Sequence, residues 1–203
     1  MTQNVLNEFN SNIRRIRDLH NLYSILRKNT EEILDISDIL RAEIVLIVSA
    51  LDCYIHNLVK ENMIEVFKGN LPETDSFKKF RIPLEEVKNA INNPSSFSWL
   101  ENEVYSQHSW KSFQQSKKIE EAIALISPKR LWYELGIILK KDSEQIKTQL
   151  ELIVDRRNKI AHEADINPSY PGRMIRWPID ELMVKEIIDF IEMIVNSIDI
   201  IAK

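Results

Sequence analysis

An all-α fold follows from two features of the sequence. Apolar residues recur at a helical period of about 3.6 through several long segments, and the 203 residues include only three glycines, Gly69, Gly136 and Gly172. That scarcity leaves no Gly-rich loop able to cradle a phosphate. With 44% hydrophobic residues the chain can fill one core and is short for two typical domains, so residues 1–203 are expected to form a single helical domain.

The first helix is predicted over Val5–Lys28, with Phe9, Ile13, Ile16, Leu19, Tyr23 and Leu26 on its buried side. Arg14, Arg15, Arg17 and His20 cluster in its middle, where a solvated charged face is favoured over an RNA contact. Thr30–Asp35 is expected to be a connector. Ser37 or Asp38 then caps a second helix running to about Phe67. That helix is apolar nearly all round from Ile44 to Leu51, the pattern of a central helix with neighbours on most sides.

The middle of the chain is more broken. Leu71–Ser76 is expected to be a loop, and Pro83 starts a short helix over Leu84–Asn92. Asn92–Ser96 interrupts the chain, after which Ser98 and Glu101 have capping-box spacing for a helix over Trp99–Gln107. Trp99, Tyr105, Trp110 and Phe113 could stack bases or pack the core, and packing is favoured. No metal-ligand spacing surrounds His108. A helix over Phe113–Ile126 is followed by Ser127–Pro128 as cap and first position of the next, over Lys129–Leu139. Asp142 or Ser143 caps a long helix beyond it, and the last helix spans about Asp180–Ile201, with Val184, Ile187, Ile188, Ile191, Ile194, Val195 and Ile198 on one face.

Charge and composition bound the function classes. A net charge of -4 means that any nucleic-acid binding must come from a local patch. The single cysteine, Cys53, has no intramolecular partner, which fits a reducing compartment. No N-terminal signal pattern is present, and no apolar run is expected to reach the ~20 residues that span a bilayer, so a soluble, cytoplasmic protein with no membrane association is expected.

The chemistry concentrates in Asp155–Glu163, at the end of the long helix. At about 100° per residue, Leu150, Ile153, Val154, Ile160, Ala161 and Ala164 share one face, and Arg157 falls at its centre. A charged side chain on an apolar stripe asks for a counter-ion, an anionic ligand or a subunit interface. Asn158 and His162, four residues apart, lie on the edge beside it. Guanidinium, amide and imidazole together suit a phosphodiester, because Arg offers a fork to phosphate oxygens and imidazole moves protons near neutral pH. Equally, these residues could do no more than complement a helix C-terminus. Asp165–Pro178 carries Pro168, Pro171, Gly172 and Pro178 and cannot continue the helix. Arg156, Lys159, Tyr170, Arg173, Arg176 and Trp177 are the candidates there for gripping RNA, with Trp177 alternatively pinning the loop to the body. Asp52 and His56, again four apart, read either as a structural hydrogen-bonded pair or as support beside Arg157.

Arg157, Asn158 and His162 match the Arg, polar residue and His signature of the HEPN superfamily, and the wider segments Ile39–Lys60 and Leu150–Ile179 resemble its RiboL-PSP-HEPN branch. The resemblance implies an up-and-down HEPN-like bundle with extra short helices and a Pro-rich loop after the motif helix. It implies metal-independent endoribonuclease activity without a cofactor, by 2′-hydroxyl attack, with Arg157, Asn158 and His162 as catalytic residues of a site shared across a homodimer. It further implies RNA as substrate and a toxin or defence role, with a cognate antitoxin or defence-complex protein as a possible partner. The alternative is a non-catalytic HEPN-like module that binds RNA or protein.

Overall fold

A computed structural model describes residues 2–29 and 34–202, and within them the chain forms nine helices and no strand longer than an isolated bridge. The first, α1 (Thr2–Asn29), runs antiparallel to α2 (Ser37–Phe67): Glu8 accepts from Asn57 at one end, and His20 meets Glu43 at the other. Along α2, Leu40, Ile44, Ile47, Val48, Leu51, Ile55, Leu58 and Val59 are all 0% exposed. This is the all-round burial expected of a central helix, and α1, α5 (Ser98–His108), α6 (Ser116–Ile123), α8 (Ser143–Glu163) and α9 (Glu181–Ala202) supply the cover. By length and composition α2 does reach the size of a membrane span, contrary to the expectation for the chain. It is nonetheless a core helix: protein encloses 56% of its most apolar window, and Glu43 and Asn62 are buried in it.

Helix α9 closes the bundle against both long helices. Tyr54 donates to Asp199 at 3.4 Å, and Arg17 bonds Asp189 at 2.8 Å and also Glu192. The basic cluster of α1 is therefore only partly a solvated face. Arg14 and Arg15 are exposed, whereas Arg17 bridges helices and His20 Nδ1 lies 2.8 Å from the fully buried Glu43 carboxylate. Burial pushes the Glu43 carboxyl above its usual range, and the His20 hydrogen bond pulls against that shift.

Several local predictions are corrected by which group takes each backbone N–H. Residues 30–33 of the expected connector lie outside the described residues. Neither Ser37 nor Asp38 caps α2: Ile36 occupies the cap position, and Asp35 Oδ1 accepts from the Ser37 N–H at 2.9 Å. A one-turn helix, α3 (Asp75–Lys78), stands within the expected 71–76 loop region because Thr74 Oγ1 accepts from the Phe77 N–H at 3.0 Å. Helix α4 (Leu84–Asn92) is as predicted, with Pro83 at its cap. The capping box of α5 does not form, since Ser98 is already helical and Phe97 is the cap residue.

Phe113–Gln115 is not helical, and α6 begins only at Ser116. Asp52 explains this, because its carboxylate accepts from the Phe113 N–H at 2.5 Å and from Gln114 Nε2 at 3.1 Å, holding that segment extended. Glu151 of α8 then caps α6, accepting from the Ser116 N–H at 2.8 Å and its hydroxyl at 2.7 Å. Helix α7 (Leu131–Leu139) starts two residues later than predicted, behind Arg130. Ser127 Oγ accepts from the Lys129 N–H at 3.4 Å ahead of the helix and donates to Ile201 O at 3.4 Å.

Trp99 and Phe113 pack as expected, whereas Tyr105 and Trp110 are exposed. His108 is buried, with its ring edge-on to Phe80 and Phe113. Burial, with Lys111 and His56 adding repulsion, pushes its pKa down to about 4. The folded value lies below that of an unfolded histidine, so this group's contribution to stability is complete above about pH 6.5 and is lost as pH falls toward 4. Thermal melts are expected to show an acid loss on the order of 3 kcal/mol across that window. His108→Gln should flatten it, and an unchanged slope in that variant would show that other groups cause the acid loss.

Candidate active site

Helix α8 is set by its two ends. At its start Asp142 Oδ2 accepts from the Gln145 N–H at 3.0 Å, the cap predicted from sequence. Ile146, Leu150, Ile153 and Val154 bury its apolar stripe. At its far end Ala164 (φ 50°) and Asp165 (φ 60°) both take left-handed conformations, which cost non-glycine residues on the order of 1 kcal/mol each. The Asp165 N–H closes the helix onto Lys159 O at 2.9 Å.

A buried ion cluster holds this strained end in place. The Asp165 carboxylate is 1% exposed and lies 2.7 Å from Arg41 Nε and 2.9 Å from Arg156 Nη1. Other donors of the two guanidiniums bind loop carbonyls and Ser37: Arg41 Nη2 reaches Trp177 O at 3.1 Å and Arg41 Nη1 reaches Ser37 Oγ at 2.6 Å, while Arg156 Nη2 reaches Trp177 O at 3.3 Å and Pro178 O at 3.2 Å. Burial lowers the pKa of Arg156, Asp165 opposes that shift, and Arg41 adds to it. The start of α2, the end of α8 and the chain returning to α9 are thus joined at one carboxylate. Arg156, expected as an RNA contact, has its fork turned inward for this purpose. Sequence reasoning missed Arg41 and Asp165. Arg41, at the head of an apolar helix, carried the same signal as Arg157. Asp165, 124 positions from Arg41, carried none.

The Pro-rich segment after α8 is an ordered hairpin. Ile166 and Arg176 form an antiparallel bridge, with the Asn167 N–H on Ile175 O at 2.8 Å and the Trp177 N–H on Asp165 O at 2.9 Å. Gly172 (φ 77°) turns the tip. Trp177 is half-buried under Lys159, whose Nζ sits 5.3 Å from the ring centre, and Lys159 also pairs with Asp155 at 2.6 Å. Arg176 pairs with Asp38. Trp177 therefore pins the hairpin to α8. Of the six expected RNA contacts, Tyr170 and Arg173 are the two whose side chains stand exposed at the tip without a bond to the body of the protein.

Arg157 is placed quite differently from its neighbour. It is half-buried, its Nη1 donates to Asn158 Oδ1 at 3.0 Å, and its Nε, like that of Arg156, is buried without a hydrogen-bond partner among the described residues. Among the described residues no carboxylate lies within ion-pair distance of it, although both Arg41 and Arg156 have one. Asn158 is half-buried, and His162, one turn on, is exposed. The structure thus brings Arg157 and Asn158 into contact and leaves His162 open to solvent on the same edge.

Asp52 and His56 lie elsewhere. His56 Nε2 is 3.2 Å from Lys111 O and 3.7 Å from Asp52 Oδ1, and its ring packs on Phe113 at 4.5 Å. Both side chains anchor the 111–114 segment. The bonds of Asp52 and His56 go to this segment, the structural role the sequence also allowed.

Comparison with known proteins agrees with the all-helical fold. No curated protein and no solved structure matches the chain. The RiboL-PSP-HEPN family model matches residues 10–203, from α1 through the Arg157, Asn158 and His162 helix to the end of the chain, and the protein belongs to the RiboL-PSP-HEPN family.

Proposed function

We propose that this protein is a metal-independent endoribonuclease whose site is completed by a second copy of the chain. The observation that carries the reading is Arg157: a permanently charged fork on the inner edge of α8, with no counter-ion among the described residues, beside Asn158 and one helical turn from the exposed His162. A phosphodiester supplies the missing anion.

In the reaction one imidazole takes the proton of the RNA 2′-hydroxyl. The freed oxygen attacks the adjacent phosphorus, and a second imidazole protonates the departing 5′-oxygen. The products are a 2′,3′-cyclic phosphate and a 5′-hydroxyl. Each chain has one histidine in the motif, so the base and the acid are His162 of two chains related by a two-fold axis. Arg157 stabilises the charge that builds on the phosphoryl oxygens, and Asn158 orients Arg157 through the 3.0 Å bond. Tyr170 and Arg173 at the hairpin tip are the contacts left for the rest of the strand.

Exposed apolar surface between α1 and the middle of α2 favours self-association. Leu22 and Leu46 are 45% and 41% exposed and line a groove of about 510 Å³ with Leu19, Ala50 and Cys53. The biological setting that fits such a nuclease is a toxin or defence system with a partner protein that restrains it.

Purified protein is expected to cut RNA in excess EDTA, leaving cyclic phosphate ends, and to sediment as a dimer at micromolar concentration. A monomer that leaves diverse RNAs intact would refute the proposal and favour the non-catalytic module.

A further inference from the structure

Away from the motif, the end of α5, the extended 111–115 segment and the start of α6 enclose a second cavity of about 490 Å³, within the range of small-molecule sites. Its wall is aromatic. Phe80 and Phe113 flank the ring of His108, with centroids 6.3 and 5.2 Å away. His108 is 4% exposed, and its Nδ1 has no hydrogen-bond partner in the protein, an arrangement that ordinarily costs stability. Burial keeps this imidazole neutral at neutral pH, and a neutral imidazole carries one donor and one acceptor nitrogen. At the mouth, Trp110 is 78% exposed. Lys111 Nζ lies 5.5 Å from the Trp110 ring centre, and Lys118 stands on the rim, paired with Glu121 at 3.2 Å.

We propose that this cavity binds a nucleobase, stacked on Trp110 and read at its edge by polar groups of the wall, with the adjoining phosphate held by Lys111 and Lys118. An exposed indole, a neutral hydrogen-bonding group and two ammonium groups around one cavity match the three parts of a nucleotide. A purely apolar ligand would leave the His108 imidazole without a partner. The base belongs either to a free nucleotide or to an RNA strand. The second source has a geometric basis, because Ser116 beside the cavity is bonded to Glu151, eleven residues before His162 on α8, or about 16 Å along the helix.

The site is tested separately from cleavage by using His162→Ala protein, which keeps RNA intact. Nucleoside 5′-monophosphates and short single-stranded oligoribonucleotides are titrated while tryptophan fluorescence and calorimetric heat are followed. Saturable quenching is expected, and Trp110→Ala should bind roughly tenfold more weakly by calorimetry. Trp110 is exposed and Lys111 half-buried, so a far-UV spectrum should confirm that Trp110→Ala and Lys111→Ala are folded. Lys111→Ala should weaken binding and reduce its salt dependence. Saturation by mononucleotides identifies free nucleotides as the ligand, and saturation by oligonucleotides alone identifies an RNA tract. Absence of saturable binding by either, or a Trp110→Ala protein that binds as tightly as its parent, overturns the proposal. Quenching in a protein that cuts no RNA would keep this site and remove the nuclease reading, and cleavage without quenching would do the reverse.

Discussion

Replacing Asp165 by Ala is expected to lower stability by about 3–5 kcal/mol, because it leaves Arg41 and Arg156 facing each other in a buried site without a counter-ion. Their side chains are 8% and 15% exposed, so solvent screening offers little relief. For a chain of this length the loss corresponds to a melting temperature lower by roughly 10 °C or more. Two further substitutions divide the effect into parts. Asp165→Gly removes the carboxylate but suits the left-handed backbone (φ 60°), so it should be milder than alanine by about 1 kcal/mol. Asp165→Asn tolerates the same backbone and keeps an acceptor, and so isolates the charge. The same carboxylate holds the hairpin through the carbonyls of Trp177 and Pro178. Hydrogen exchange of residues 166–177 should therefore accelerate in all three variants. A loss under about 1 kcal/mol in Asp165→Ala, or protection of the hairpin unchanged, would show that packing around Trp177 sets this end of α8 instead.

The four long helices were legible because each buries a stripe that repeats at the helical period, and burial of such a stripe is what stabilises a helix in a folded chain. Asp142 was legible as a cap because the bond it makes is local. Features set by groups distant in sequence were not. Phe113–Gln115 has a helical pattern, yet Asp52, 61 positions away, takes the Phe113 N–H and holds the segment extended. Arg156 and Arg157 show the same limit at the candidate site. They are adjacent in sequence and about 100° apart around α8. Periodicity pointed to Arg157 as the unusual charge, and Arg157 is the one without a counter-ion among the described residues. That Arg156 is tied into an ion cluster depends on Arg41 and Asp165, which only the packing of α2 against α8 brings together.

Replacing His162 by Ala is expected to reduce RNA cleavage by about 10²–10⁴-fold, the usual contribution of a general acid or base, while helicity and melting temperature stay as they are. The side chain is exposed at the last turn of α8 and makes no hydrogen bond among the described residues, so its loss removes little packing. Arg157→Lys separates charge from shape. An ammonium keeps the positive charge but loses the planar fork and the Nη1 bond to Asn158, and a rate lower by roughly 10²-fold is expected. His56→Ala supplies the contrast. His56 packs on Phe113 and sits 3.2 Å from Lys111 O, so its replacement should lower stability while the folded fraction cleaves at the native specific rate. These outcomes distinguish a nuclease from a non-catalytic bundle because they dissociate rate from fold in opposite directions at two histidines. Should His162→Ala unfold the protein while the native chain leaves every RNA intact, the motif would belong to the scaffold. The uncompensated Arg157 would then call for an anionic group on a protein partner.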